Sequence, residues 1–169
     1  MTCGWKWGKF HRISQKSLMD LMEEYFGRYR NVLDTKGRVN MPARFREMTD
    51  SQAEGNQIFI LTRGTEKYVA MFPIGEWRRK ISELEQKVED GAQRRVLNRR
   101  INFHASHQKV DKQGRINVPA ELIQYADLRK DVIVLGTGKK IEIWNPEELD
   151  KYLQKAETQY QELSNFLDF

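Results

Sequence analysis

Polar and apolar residues alternate in several short stretches of the chain. In Arg38-Val-Asn-Met41, and again in Arg115-Ile-Asn-Val118, the alternation predicts strands with one buried face. Ile58 to Leu61 and Val132 to Leu135 are short apolar runs that also read as strands. Elsewhere the period lengthens. Trp77, Ile81, Leu84 and Val88 fall at i, i+4, i+7 and i+11, one face of a helix. Asp90-Gly91 breaks it, and a second helix is expected from Ala92 to about Arg100. Asn145-Pro146-Glu147-Glu148 opens a tail helix with a cap, a proline in the first turn and acids near the positive end of the dipole. Its Leu149, Leu153, Ala156, Tyr160, Leu163 and Leu167 make a stripe suited to a partner helix, from the same chain or from a neighbouring subunit.

The strands belong to an internal repeat. Asp34-Thr-Lys-Gly-Arg-Val-Asn-Met-Pro-Ala43 recurs as Asp111-Lys-Gln-Gly-Arg-Ile-Asn-Val-Pro-Ala120. Downstream, Ile58 to Leu61 matches Val132 to Leu135, and Pro73 closes the first unit as Pro146 closes the second. In each unit a strand runs into Asp-x-x-Gly-Arg, where Asp caps the turn and Gly supplies a positive φ. A strand follows, then Pro42 or Pro119, then a short helix (Ala43 to Met48, Ala120 to Ala126). Two more strands complete ββαββ, joined at Arg63-Gly64-Thr65 and at Gly136-Thr-Gly138. One such unit buries little apolar surface alone. The two copies are therefore expected to fold around a pseudo-two-fold axis into one barrel-like core. The expected class is α+β, mainly β, with a helical linker and a C-terminal helix. The expected division is an extension over 1–25, modules over 26–75 and 104–148, the linker over 76–103 and the tail over 149–169.

Charge changes the picture by where it sits. The chain of 169 residues has a net charge of +5. Residues 28–50 carry six Lys/Arg against three acids, residues 92–123 seven against two, and residues 146–169 two against six. One face is expected to meet an anion. The single cysteine, Cys3, excludes an intrachain disulfide and a cysteine zinc cluster, and points to a reducing cytoplasm. No apolar run approaches the ~20 residues of a membrane span, and no secretory signal is recognised at the N-terminus.

The doubled D-x-x-G-R motif, the segment from Phe26-Gly-Arg-Tyr-Arg to Ala43-Arg-Phe-Arg46 and Trp77 after the first unit resemble the MraZ family of bacterial transcriptional regulators. The likeness runs from about Phe26 to about Tyr152. It implies two AbrB-type swapped-hairpin modules and a ring-shaped homo-oligomer. It also implies a repressor that binds direct repeats in the promoter of the division and cell-wall gene cluster, its own operon included. Such a protein would be cytoplasmic and nucleoid-associated. The likeness further implies that Arg38 and Arg115 lie on the DNA-facing surface. The first 21 residues depart from the pattern and read as an extension, consistent with a start at Met19 or Met22 or with a basic arm.

Residue chemistry fits double-stranded DNA. An arginine at a hairpin tip reaches phosphate, or the edge of guanine with two donors; its alternative is an ion pair with the Asp of the same turn. Lys36 and Lys112 are expected at phosphates. Arg28 and Arg30 are expected to share one strand face, with Gln108 and Lys109 at the matching place in the second copy. Asn40 and Asn117 either read adenine or satisfy backbone near the turn. Arg94, Arg95, Arg99 and Arg100 either grip phosphates or pair with Glu83, Glu85 and Glu89. An RNA-binding module would need exposed aromatics, for which Tyr29, Tyr68 and Phe72 are candidates. His104 and His107 lack a third metal ligand nearby, and no nucleophile or phosphate-loop motif occurs. No catalytic residue, metal, cofactor, membrane contact or small-molecule substrate is expected.

Overall fold

A computed structural model describes residues 24–50 and 58–167. The expected extension lies, up to residue 23, outside them. The first copy contains β1 (Tyr25–Val32), β2 (Arg38–Asn40), α1 (Ala43–Asp50), β3 (Ile58–Arg63) and β4 (Tyr68–Pro73). Two helices follow, α2 (Ile74–Lys87) and α3 (Gly91–Phe103). The second copy contains β5 (Ser106–Lys109), β6 (Arg115–Asn117), α4 (Ala120–Tyr125), β7 (Asp131–Gly138) and β8 (Ile141–Trp144), and α5 (Pro146–Leu167) ends the chain. The order is ββαββ twice, as the repeat predicts. β1 and α5 begin slightly before the expected boundaries at 26 and 149.

The first strand of each copy pairs with the third strand of the other. β1 runs antiparallel to β7 and β5 antiparallel to β3, in a six-stranded sheet of order β1-β7-β8-β4-β3-β5. The remaining strands, β2 and β6, pair with each other in a two-stranded sheet, and Val39 of β2 also bridges to Leu33. Every ladder thus either joins the copies or closes one hairpin, and neither copy completes its hydrogen bonding alone.

Register corrects two matches made from sequence. Arg30 faces Ile133, and His107 faces Ile60. Arg30 and His107 are therefore equivalent, as are Ile60 and Ile133. The third strands align Phe59 with Val132, one residue away from the match of Ile58 with Val132. Gln108 and Lys109 correspond to Asn31 and Val32, and the equivalent of Arg28 is Ala105. Burial agrees: Phe59, Ile60 and Leu61 are buried like Val132, Ile133 and Val134. Similar apolar runs slide past one another in a sequence alignment, whereas a one-residue slip in a sheet turns each side chain to the wrong face.

The central strands carry apolar residues on both faces because both faces of the sheet are covered. Val69, Met71, Val134, Ile141 and Ile143 join Val39, Phe45, Ile116 and Leu122 in the main core. Tyr68, Ala70, Ile133 and Trp144 point to the other face, where Leu149 of α5 covers them. Phe45 of α1 meets Tyr25 and Tyr29 edge-on, with ring centroids 5.3 and 5.1 Å away. The polar group buried on the second face is partnered: Glu142 accepts from Trp144 Nε1 at 2.8 Å and pairs with Lys140 at 2.7 Å.

Two turns differ from expectation. Arg63 is still strand, and the β3–β4 connection is Gly64 to Lys67, closed by Gly64 N–H donating to the Tyr68 carbonyl at 2.9 Å. Gly136 lies inside β7, and the β7–β8 turn is Lys139-Lys140. A Cβ on Gly136 would stand 2.5 Å from the carbonyl carbon of Tyr25, so this glycine admits β1 to close approach instead of making a turn. The cap predicted for α5 forms: Asn145, 2% exposed, accepts from Glu147 N–H at 2.9 Å and donates to the Asp127 carbonyl at 2.7 Å. Among the described residues no helix is long and apolar enough to cross a membrane.

Candidate nucleic-acid interface

The two D-x-x-G-R turns are built by the same bonds. Gly37 and Gly114 have φ of 74° and 76°, the left-handed region that costs other residues about 1–2 kcal/mol. Their N–H groups donate to the carbonyls of Asp34 and Asp111, each at 2.9 Å. Asp34 Oδ1 accepts from the N–H of Lys36 and of Arg38, both at 2.9 Å. Asp111 Oδ1 accepts from Gln113 at 2.8 Å and from Arg115 at 2.9 Å. The second carboxylate oxygen holds the arginine. Arg38 reaches Asp34 Oδ2 through Nε at 2.8 Å and Nη2 at 2.6 Å; Arg115 reaches Asp111 Oδ2 through the same atoms at 2.9 and 2.7 Å.

These bonds act on charge as well as shape. The Arg38 side chain, followed by backbone N–H donors, lowers the pKa of Asp34 to about 2. Arg115 lowers that of Asp111 for the same reason. Each aspartate is therefore ionised at neutral pH and fixes its arginine in one rotamer. Of the five guanidinium donors, Nε and one on Nη2 are occupied. Nη1 and the outer hydrogen of Nη2 remain to meet a ligand. The ion pair and an outward role are thus compatible.

The β2–β6 ladder then brings the tips together. Arg38 stands opposite Asn117 and Arg115 opposite Asn40, with Val39 and Ile116 between them facing the core. The adjacent backbone is locked by Met41 N–H donating to the Gly114 carbonyl and Val118 N–H to the Gly37 carbonyl, both at 2.8 Å. Two arginines and two asparagines from distant parts of the chain therefore share one outward face. An open groove of about 560 Å³ runs beside it, lined by Arg30, Asn31, Asp34, Arg38, Asn40, Gln113 and Arg115.

Lys36 and Lys112 are exposed at the turns, and Arg28 and Arg30 are exposed on β1. Arg28 and Arg30 share the outward face as expected, since Tyr25 and Tyr29 turn inward beside Phe45. Arg30 joins the tip groove. Sequence reasoning left Asn40 and Asn117 between two roles, and the antiparallel pairing of the copies is what places them beside the arginines. Their duplication was the only signal, and it carries no information about distance.

Other candidates are used elsewhere. Arg94 donates to the Val88 carbonyl at 2.9 Å, Glu83 pairs with Arg79, and Glu85 accepts from Asn98. Two of the three carboxylates expected to pair with the arginines of α3, Glu83 and Glu85, thus have other partners on α2 and α3. Tyr68 stacks on Trp144 at 4.7 Å, Tyr29 packs on Phe45 and Phe72 on Trp77. Each of these aromatics packs against another ring of the chain. Among the described residues no group of three potential ligands is placed to hold a metal ion.

Comparison of the sequence with known proteins places the chain in a family. A family model described as "MraZ protein, putative antitoxin-like" matches residues 25–99 and 101–166. The first matched segment starts at the first residue of β1. A protein of Natranaerobius thermophilus named "Transcriptional regulator MraZ" is 34% identical over 146 residues, spanning 86% of this chain and 98% of that protein. A protein of the same name from Heliobacterium modesticaldum is 37% identical over 146 residues, with the same coverage. One from Alkaliphilus oremlandii is 36% identical over 141 residues, spanning 83% of this chain and 94% of its own length.

Proposed function

The chain belongs to the MraZ family of transcriptional regulators, which are not enzymes, and from that premise we propose that it regulates bacterial transcription by gripping double-stranded DNA with its paired hairpin tips. The observation that carries this reading is the outward quartet of Arg38, Asn117, Arg115 and Asn40 on one ladder. Arginine presents two parallel donors to guanine, and asparagine a donor and an acceptor to adenine. Lys36, Lys112, Arg28 and Arg30 surround the quartet and supply phosphate contacts.

The exchange of first strands is what an AbrB-type swapped-hairpin barrel requires, and we assign modules 26–75 and 104–148 to it on that ground. A ring-shaped oligomer fits the apolar side chains left exposed. Leu153, Tyr160, Leu163 and Phe166 of α5 and Val96 and Phe103 of α3 are 49–85% exposed. These faces suit contacts between neighbouring copies. A ring would present the quartet repeatedly to consecutive operator elements and gain affinity by multivalency. The expected target is a set of direct repeats upstream of the division and cell-wall gene cluster, with the chain's own operon repressed. Its place would be the cytoplasm, on the nucleoid.

Selection of bound duplexes from a random pool tests this reading. Tandem direct repeats, preferred over single strands and RNA of the same sequence, are expected. An inverted repeat would point to an isolated dimer. An unselective pool would overturn base reading at the tips.

A further inference from the structure

A second concave region is lined by none of the residues of the D-x-x-G-R turns. A cavity of about 440 Å³ opens between the outer face of β3 and β4 and the pair α2 and α3. Its volume suits a small molecule. Tyr68 and Phe72 form its floor and Trp77 one wall. Five basic side chains line it from five places: Arg63 at the end of β3, Lys80 on α2, Arg100 on α3, His104 just after α3, and Lys140 in the β7–β8 turn. No lining residue is acidic. Two carboxylates act on these groups from neighbouring positions, Glu121 on His104 and Arg63, and Glu142 on Lys140. Four permanent cations therefore face two carboxylates.

The polar groups are held and incompletely used. The His104 side chain is 9% exposed. Its Nδ1 meets Glu121, while its Nε2 is buried without a hydrogen-bond partner. Arg63 Nη2 also meets Glu121 at 3.0 Å, its guanidinium carbon lies 4.8 Å from the Tyr125 ring centre, and its Nε is buried without a partner. Lys140 Nζ touches Tyr68 Oη at 2.8 Å. A buried polar atom with no partner destabilises the fold, and a ligand that satisfies it recovers that cost.

We infer that this cavity binds a small aromatic anion, a flat ring that carries a carboxylate or phosphate group. The aromatic surfaces of Tyr68, Phe72 and Trp77 fit a flat ring. The cationic rim and the free edge of His104 fit the anionic group. The expectation of no small-molecule substrate leaves room for such a bound ligand, and the site stands independently of DNA binding.

Isothermal titration of the full chain, without DNA, tests it with three probes: indole-3-acetate, adenosine 5′-monophosphate and inorganic phosphate. At least one aromatic anion is expected to saturate at one molecule per chain with a Kd below about 1 mM. His104→Leu is expected to weaken it about ten-fold, since a hydrogen bond to a charged group is lost. The inference is overturned if neither aromatic anion saturates, if inorganic phosphate binds as tightly as the better of them, or if folded His104→Leu keeps full affinity. Should His104→Leu fail to fold, Lys80→Glu decides. Lys80 is exposed, so charge reversal there leaves the core intact; a drop of about five-fold or more supports the site, and unchanged affinity overturns it.

Discussion

The two copies agree at their tips and diverge in the strands that lead to them. Each carboxylate-to-arginine bond in the first turn has a counterpart in the second within about 0.1 Å. The strands entering these turns are unlike. β1 has eight residues and carries Arg28 and Arg30 outward; β5 has four, with Ala105 and His107 at the equivalent places. The packing beneath the tips differs too. Gly114 lies against Arg46 of α1, whereas Gly37 lies against Ile123, the equivalent residue of α4. Identity is kept where a short turn must place one guanidinium, and variation is tolerated where a strand needs only a ladder and an inward face. The chain thus joins a symmetric pair of hairpin tips to an asymmetric basic flank.

Loss of operator binding is the expected effect that breaks the symmetric part. Arg38→Ala or Arg115→Ala alone should cost about 1–3 kcal/mol of operator binding, and the two should cost nearly the same because their geometry is the same. The double variant should lose operator binding while circular dichroism and oligomer size stay constant. Unequal single effects in a titration of labelled duplex would show that only one tip reads bases.

The cores under the tips can be compared by truncation. Phe45→Ala removes a fully buried ring and should cost about 3–5 kcal/mol of folding stability; Leu122→Ala, at the equivalent place, should cost about 2–5. Because both side chains lie in one core, urea unfolding of either variant should remain a single transition. Two transitions would mean that the copies fold separately.

The asymmetric flank is probed with smaller effects. Arg30→Ala should weaken all duplexes alike and reduce the salt slope of binding by about one unit. His107→Ala should change neither. A salt series with both variants checks the difference, and equal effects would make the flank symmetric in function.

The smallest effect is on pH dependence. Asp34 has its folded pKa depressed to about 2 from the model-peptide 3.8, so its pairing contributes stability above the unfolded value and loses it as pH falls. Melting temperatures should decline as pH drops from about 4 to about 2. Asp34→Asn should flatten that part of the profile, and Asp111→Asn should act in the same direction, since its pKa is also lowered.

Local chemistry was legible in the sequence wherever the structure depends on neighbours along the chain. The Asp caps, the left-handed glycines, the prolines before α1 and α4, the Asn145 cap and the alternation of β2 and β6 follow from short-range sterics and hydrogen bonds. The repeat likewise announced two copies of ββαββ. The sequence could not supply pairing across 77 residues, because burial patterns say which face turns inward and not which strand lies beside it. Tertiary structure alone paired β1 with β7 and β5 with β3, put Asn117 opposite Arg38, and made Gly136 a point of close approach. It also directed Glu83 and Glu85 to Arg79 and Asn98 instead of the arginines of α3, and left Leu153, Tyr160 and Leu163 of the α5 stripe exposed. The physical reason is that each copy is too small to bury its own apolar faces or complete its own ladders, so the decisive contacts form only when the two fold together.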